Sequence, residues 1–186
     1  MIAGQYRSRP LGSLPGQQIR PTADRLRETL FNVLTAGNPG ALEGSVWADL
    51  YAGSGAVGIE ALSRGAVKVY FVESSAAAGR LIRRNLESLQ VSAGFELLQM
   101  EAQKALRRLE AQPIVLDYVF LDPPYNKEEE YGATLDFLSR SPVLRVGALV
   151  IAEHRKQFDP GENFEGMKRF RTLVQGDAGL SFYRRA

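Results

Sequence analysis

Cysteine is absent from the 186-residue chain, and histidine occurs once. The first absence removes disulfides, thiolate nucleophiles and cysteine-ligated zinc or iron–sulfur sites together, and it points to a reducing cytoplasm. The second leaves His154 as the lone imidazole. No partner for acid–base work is evident, so a structural or solvent-facing role is expected. Missing too is any apolar stretch of the roughly 18 residues that a membrane helix needs. The opening Met1-Ile2-Ala3-Gly4-Gln5-Tyr6-Arg7 carries no signal-peptide apolar region. Net charge is small, formally +2, yet the stretch before Glu28 holds Arg7, Arg9, Arg20, Arg25 and Arg27 against the single acid Asp24. Arginine forks match phosphate oxygens, so this local excess suggests a polyanion partner.

What is present fits one domain with a small extension. The first twenty or so residues are rich in Gly, Pro and Arg and predict an irregular arm with one short hairpin. From Thr22, the helical spacing of Leu26, Leu30, Val33 and Leu34 predicts an amphipathic helix that ends at Gly37-Asn38-Pro39-Gly40. Residues 1–40 are therefore read as arm and helix, and 41–186 as the main domain. There, strands from Val46 to Tyr51, Lys68 to Glu73, Phe95 to Met100 and Tyr118 to Leu121 alternate with helices from Ala56 to Arg64, Ser75 to Leu89 and Ala102 to Glu110. A helix from Glu129 to Ser139 and a strand from Ala148 to Ala152 follow. Such βα alternation with short connections predicts an α/β fold with a mainly parallel sheet covered on both faces. Lys168 to Val174 and Leu180 to Arg184, joined by Gly176-Asp177-Ala178-Gly179, predict a closing antiparallel hairpin.

Asp122-Pro123-Pro124-Tyr125 directly follows the apolar run Tyr118-Val119-Phe120-Leu121. Two prolines cannot continue a sheet, so they hold a rigid turn that presents Asp122 at a strand tip. A carboxylate and proline carbonyls accept hydrogen bonds from an exocyclic amine, and a tyrosine ring stacks on the base that carries it. Upstream, Asp49-Leu50-Tyr51-Ala52-Gly53-Ser54-Gly55-Ala56-Val57-Gly58 contains G-x-G-x-x-G between a strand and a helix. Its glycines allow a tight turn, close approach of a ligand and close helix–strand packing. Dinucleotides and S-adenosylmethionine both use such a crossover. Asp49, before the first glycine, suits an amino group better than a pyrophosphate, although it could instead cap the following turn. Glu73, at the next strand end, can accept from ribose hydroxyls of either ligand. The tetrad has no task in hydride transfer, and it faces the same carboxyl-end crevice as the loop.

The loop and tetrad together resemble class I S-adenosylmethionine-dependent methyltransferases acting on an exocyclic nucleobase amine. Arg20-Pro21-Thr22-Ala23-Asp24-Arg25-Leu26-Arg27-Glu28-Thr29-Leu30-Phe31-Asn32 and Gly58-Ile59-Glu60-Ala61-Leu62-Ser63-Arg64-Gly65-Ala66 more specifically resemble the RsmD family of bacterial 16S rRNA guanine-N2 methyltransferases. That resemblance implies a Rossmann-like, seven-stranded sheet, S-adenosylmethionine as donor, and one guanine of 16S rRNA in an assembled small subunit or late intermediate as target. It also implies a monomer without a metal. In this reading Asp49, Ala52, Gly53, Ser54, Gly55, Gly58 and Glu73 bind the donor, and Glu101 or Ala102 meets its adenine. Asp122 and the Pro123 carbonyl accept the two N2 protons, Tyr125 stacks on the base, and Arg7, Arg9, Arg20, Arg25 and Arg27 hold RNA phosphates. Competing readings are a DNA or RNA adenine or cytosine amino-methyltransferase, a dinucleotide oxidoreductase and a non-catalytic RNA-binding module.

Overall fold

The computed structural model describes residues 1–13, 21–124 and 126–186, with backbone alone for 21–23. Five helices and eight strands alternate along these residues: α1 (Pro21–Leu34), β1 (Val46–Leu50), α2 (Ala56–Ser63), β2 (Lys68–Val72), α3 (Ala76–Ser88), β3 (Phe95–Leu98), α4 (Ala102–Glu110), β4 (Leu116–Leu121), α5 (Glu129–Arg140), β5 (Leu144–Arg155), β6 (Asn163–Phe164), β7 (Met167–Gln175) and β8 (Ala178–Arg185). The strands form one sheet in the order β3-β2-β1-β4-β5-β8-β7-β6. The first five pair in parallel, and β8, β7 and β6 are antiparallel. Strand order reverses on either side of β1 and β4, which opens a crevice at their carboxyl ends.

Alternation along the strands divides the core between the two faces. On one face Ala48, Leu50, Val119, Leu121, Val150 and Ala152 pack under α4 and α5. On the other, Trp47, Phe71, Phe120, Ile151 and Phe182 meet Leu30 and Phe31 of α1, Ile59 of α2 and Ile82 of α3. Trp47 is fully buried between Phe31 and Tyr118, at ring separations of 5.7 and 4.6 Å, and its indole N–H donates to Ser45 Oγ at 2.9 Å. The expected helix after the arm is thus built into the core.

The structure corrects three expectations. The sheet has eight strands, because the two-residue β6 pairs with β7 beyond the predicted hairpin. The hairpin turn is tighter than its composition suggested: Gln175 already pairs with Ala178, and Gly176 at φ 63° makes the bend. Residues 1–13 contain no strand and are not a loose appendage. Ile2 and Ala3 N–H groups both donate at 2.9 Å to the carboxylate of Glu60, a fully buried residue of α2 whose other contact is Arg64 Nε at 2.8 Å. Gly12 exchanges hydrogen bonds with Asn85 of α3, so the arm is held at both ends of its described stretch.

Candidate active site

The glycine loop leaves β1 through Tyr51, which has φ 62°, and turns at Gly53 (φ 55°) and Gly55 (φ 77°) into α2. Positive φ at a tyrosine is strained and marks a turn imposed by its surroundings. A Cβ on Gly58 would lie 2.3 Å from the Phe71 ring and 2.8 Å from Val69, so this glycine is what lets α2 press on β2. Around Gly53 a Cβ would meet only the Tyr51 carbonyl at 4.0 Å, which leaves the loop's outer side open to a ligand. Asn85 donates to the Ser54 carbonyl at 2.9 Å and to the Gly12 carbonyl at 3.3 Å, joining arm, loop and α3 through one side chain.

Asp49 is buried, and its Oδ2 accepts the Gly58 N–H at 2.9 Å. It ties the first turn of α2 to the end of β1, the cap role that its position allowed. Burial pushes its carboxyl up to about 8 against the pull of that hydrogen bond, with the charges of Asp122 and Glu73 adding to the rise. Glu73 follows β2 and accepts from Gly53 N–H at 2.9 Å and Ser75 N–H at 2.7 Å. Its carboxylate thereby closes the loop from the side. Glu101 is exposed and pairs with Lys104 at 3.0 Å, while the neighbouring Ala102 is buried at the start of α4.

Register places the tetrad. Leu50 lies beside both Val72 and Leu121, and Leu121 beside Ala152. Glu73 and Asp122, each the residue after its strand, and Glu153 within β5 therefore stand at one level, two residues beyond Asp49. Leu121 and Ala152 both pack under α4 and α5, so alternation sends Asp122 and Glu153 to the face that Asp49 occupies. Burial raises the Asp122 carboxyl to about 7. Glu153 is raised to about 8 by burial and then by the Asp122 charge. Pro123 is buried and Pro124 exposed; Tyr125 lies outside the described residues.

Glu153 was not among the residues expected from sequence. The available signal was the one that marked Asp49, Glu73 and Asp122, an acid closing a buried strand, but the apolar run of β5 stops at Ala152 and the strand does not. His154 has the expected structural role: it is buried, with Nε2 2.9 Å from Ser181 Oγ and Nδ1 2.8 Å from the Arg155 carbonyl.

The arginines divide. Arg7 and Arg25 are exposed. Arg9 donates to the Ser88 and Leu89 carbonyls at 2.7 and 3.4 Å, neutralising the carboxyl end of α3. Arg27 pairs with Asp24 at 3.0 Å, and its Nε is buried with no hydrogen-bond partner among the described residues. Arg20 lies outside the described residues. A cleft of about 460 Å³ between Ser45, Asp117, Tyr118, Arg145 and Arg184 opens at the opposite end of the strands and contains none of the expected site residues.

A parallel sheet closed by an antiparallel hairpin, with a glycine loop after β1 and acids at the strand ends, defines the class I methyltransferase fold. Solved structures agree with that assignment. The Escherichia coli protein yhhF superposes with a TM-score of 0.81 at 29% identity, covering 99% of this chain and 96% of that one. A 16S rRNA N2 methyltransferase (RsmC) of T. thermophilus, solved in complex with AdoMet and guanosine, shares the fold with a TM-score of 0.71 at 19% identity over 94% of this chain and 46% of that one.

The particular family follows from sequence. The family model described as Conserved hypothetical protein 95 matches residues 1–184, and the chain belongs to that family, the RsmD family. The chain is 36% identical over 157 residues to ribosomal RNA small subunit methyltransferase D of Haemophilus influenzae, covering 84% of this chain and 78% of the relative. It is 34% identical over 187 residues to the Escherichia coli protein of that name, covering 100% and 89%.

Proposed function

We propose that this chain transfers a methyl group from S-adenosylmethionine to the exocyclic N2 amine of a guanine in small-subunit ribosomal RNA. The observation that carries the reading is the placement of Asp122 at the tip of β4, beside Asp49 and across the crevice mouth from the glycine loop. Relatives named for small-subunit rRNA methylation over nearly the whole chain support the substrate class.

The residues fit the donor. Glu73 already orders the loop through Gly53 and keeps lone pairs for ribose hydroxyls, since a carboxylate accepts about four hydrogen bonds. The open side of Gly53 lets a ligand lie against backbone. Asp49 holds the turn in shape through Gly58. Ala102, buried at the start of α4, and the exposed Glu101 flank the place for an adenine. Bound S-adenosylmethionine supplies an electrophilic methyl.

The guanine N2 lone pair is delocalised into the ring and is a poor nucleophile. Asp122 and the Pro123 carbonyl accept hydrogen bonds from the two N2–H groups and draw that lone pair out of conjugation, in line with the methyl group; as N2 gains the methyl it gives up one proton, to Asp122 or to water, which leaves a neutral amine. Tyr125 stacks on the extruded base, and Arg7 and Arg25 meet RNA phosphates beside the crevice.

The test is transfer of labelled methyl from S-adenosylmethionine to small-subunit particles lacking this modification, followed by nucleoside digestion. Label is expected in N2-methylguanosine. In Asp122→Ala it should fall by about 100-fold or more while donor affinity stays within about threefold, because the lost interaction belongs to the transition state. Label in methyladenosine or methylcytidine would overturn the guanine assignment.

A further inference from the structure

The tetrad by itself does not choose a base. Acceptors aimed at an exocyclic amine serve adenine N6 and cytosine N4 as well as guanine N2. What separates guanine is the neighbouring ring atom: beside the amine, guanine carries an N1–H donor, whereas adenine N1 and cytosine N3 are bare acceptors. A second acceptor next to Asp122 would read that difference, attracting N1–H and repelling a lone pair.

The structure holds one such group. Glu153 follows Ala152 in β5, the strand hydrogen-bonded to β4, and Ala152 is the register partner of Leu121. Neighbouring strands lie about 4.8 Å apart, a spacing suited to adjacent donors on one base edge. Alternation puts Asp122 and Glu153 on the same face, and the Asp122 charge helps to raise the Glu153 carboxyl. Both side chains are half-buried, and among the described residues neither takes part in a hydrogen bond or ion pair. The backbone beneath Glu153 is fixed: Tyr131 Oη donates to its carbonyl at 2.7 Å, its register partner in β8 is Leu180, and His154 next to it is anchored to Ser181. A carboxylate on a rigid strand, on the crevice face and without a partner among the described residues, is preorganised for a ligand.

We propose that Glu153 selects guanine, its carboxylate accepting the ring N1–H while Asp122 and the Pro123 carbonyl accept from the 2-amine. The proposal rests on the guanine-N2 reading above. Two half-buried acids side by side resist ionising together, and the donors of a guanine edge stabilise both in the charged form. An adenine or cytosine offers no donor at the second position and leaves that carboxylate buried and unpaired.

The experiment uses 2-aminopurine, which keeps the 2-amine and lacks the N1–H. Particles carrying it at the guanine mapped with the wild-type enzyme are compared with unmodified particles. Wild type should favour guanine by at least about 100-fold in kcat/KM, the discrimination expected when a buried acceptor loses its donor. Glu153→Gln, whose amide can donate to the bare N1, should lower that preference at least tenfold. Its melting temperature should stay at or above that of wild type, with donor Kd unchanged. Glu153→Ala should also lose the preference, without the gain on 2-aminopurine. Equal wild-type rates on the two bases would overturn the proposal without any variant, as would Glu153→Gln slowing both bases by the same factor. If wild type forms no N2-methylguanosine at all, the underlying reading fails instead, and the two failures are told apart by the first assay.

Discussion

Residue by residue, the site is built from acids held under pressure. Burial pushes the Asp122 carboxyl up to about 7, and burial followed by the Asp122 charge pushes Glu153 up to about 8. The ionised carboxylate is the stronger acceptor, for one N2–H at Asp122 and for N1–H at Glu153, so kcat/KM should rise with pH between about 6 and 8.5 and then level. A rate that is flat across that window would remove both groups from the reaction. The sign for stability is opposite. A carboxyl whose folded pKa exceeds its unfolded value stabilises the fold below about pH 4 and loses that contribution as pH rises through the folded pKa. At pH 8 the crevice therefore stores unfavourable charge, and Asp122→Asn should raise the melting temperature by about 2–5 °C while abolishing transfer. Thermal unfolding at pH 5 and pH 8 measures it: the gain belongs to the higher pH.

At the scale of elements, the contact between α2 and β2 decides whether the glycine loop has a shape. The Phe71 ring occupies the space that a side chain on Gly58 would need, so Gly58→Ala must separate helix from strand. A cost of about 1–3 kcal/mol is expected in denaturant unfolding, together with weaker donor binding. Asn85→Ala cuts the link that holds the Ser54 carbonyl and residue 12 to α3. Donor Kd should rise by about tenfold, the worth of one or two buried hydrogen bonds, and calorimetry with S-adenosylmethionine reads it. The elements show where sequence reading succeeds. The loop was legible because G-x-G-x-x-G allows few backbone paths, and Gly58 plays the packing role its spacing implied. The strand ends were legible wherever an apolar run and an acid coincide, as at Asp49 and Asp122. β5 hid Glu153 because antiparallel pairing with β8 carries the strand to Arg155, past its apolar run, and that partner lies far along the chain. Glu60 was hidden for a related reason. An acid on a short helix is ordinarily a solvated one, and nothing local shows that the chain's first residues return to pair with it.

Across the whole molecule, the arm and the glycine loop belong to one connected unit. Glu60 fastens residues 2 and 3 to α2, Arg9 caps α3, and Asn85 joins residue 12 to the loop. Glu60→Ala leaves two backbone donors and Arg64 without their acceptor. Hydrogen exchange of residues 2–12 should accelerate at least tenfold, with about 2 kcal/mol lost in stability. Unchanged protection would mean that other contacts suffice to hold the arm.

The cluster of carboxylates formed by Asp49, Glu73, Asp122 and Glu153 also bears on how a catalytic cycle finishes. Methyl transfer converts a positively charged sulfonium into a neutral thioether, so the spent cofactor carries one positive charge fewer than the fresh one. A crevice lined with acids discriminates between the two by charge alone, and more sharply as those acids ionise. The ratio of product Kd to donor Kd should therefore widen between pH 6 and pH 8.5, making the enzyme least prone to product inhibition under the same conditions in which its acids are most active.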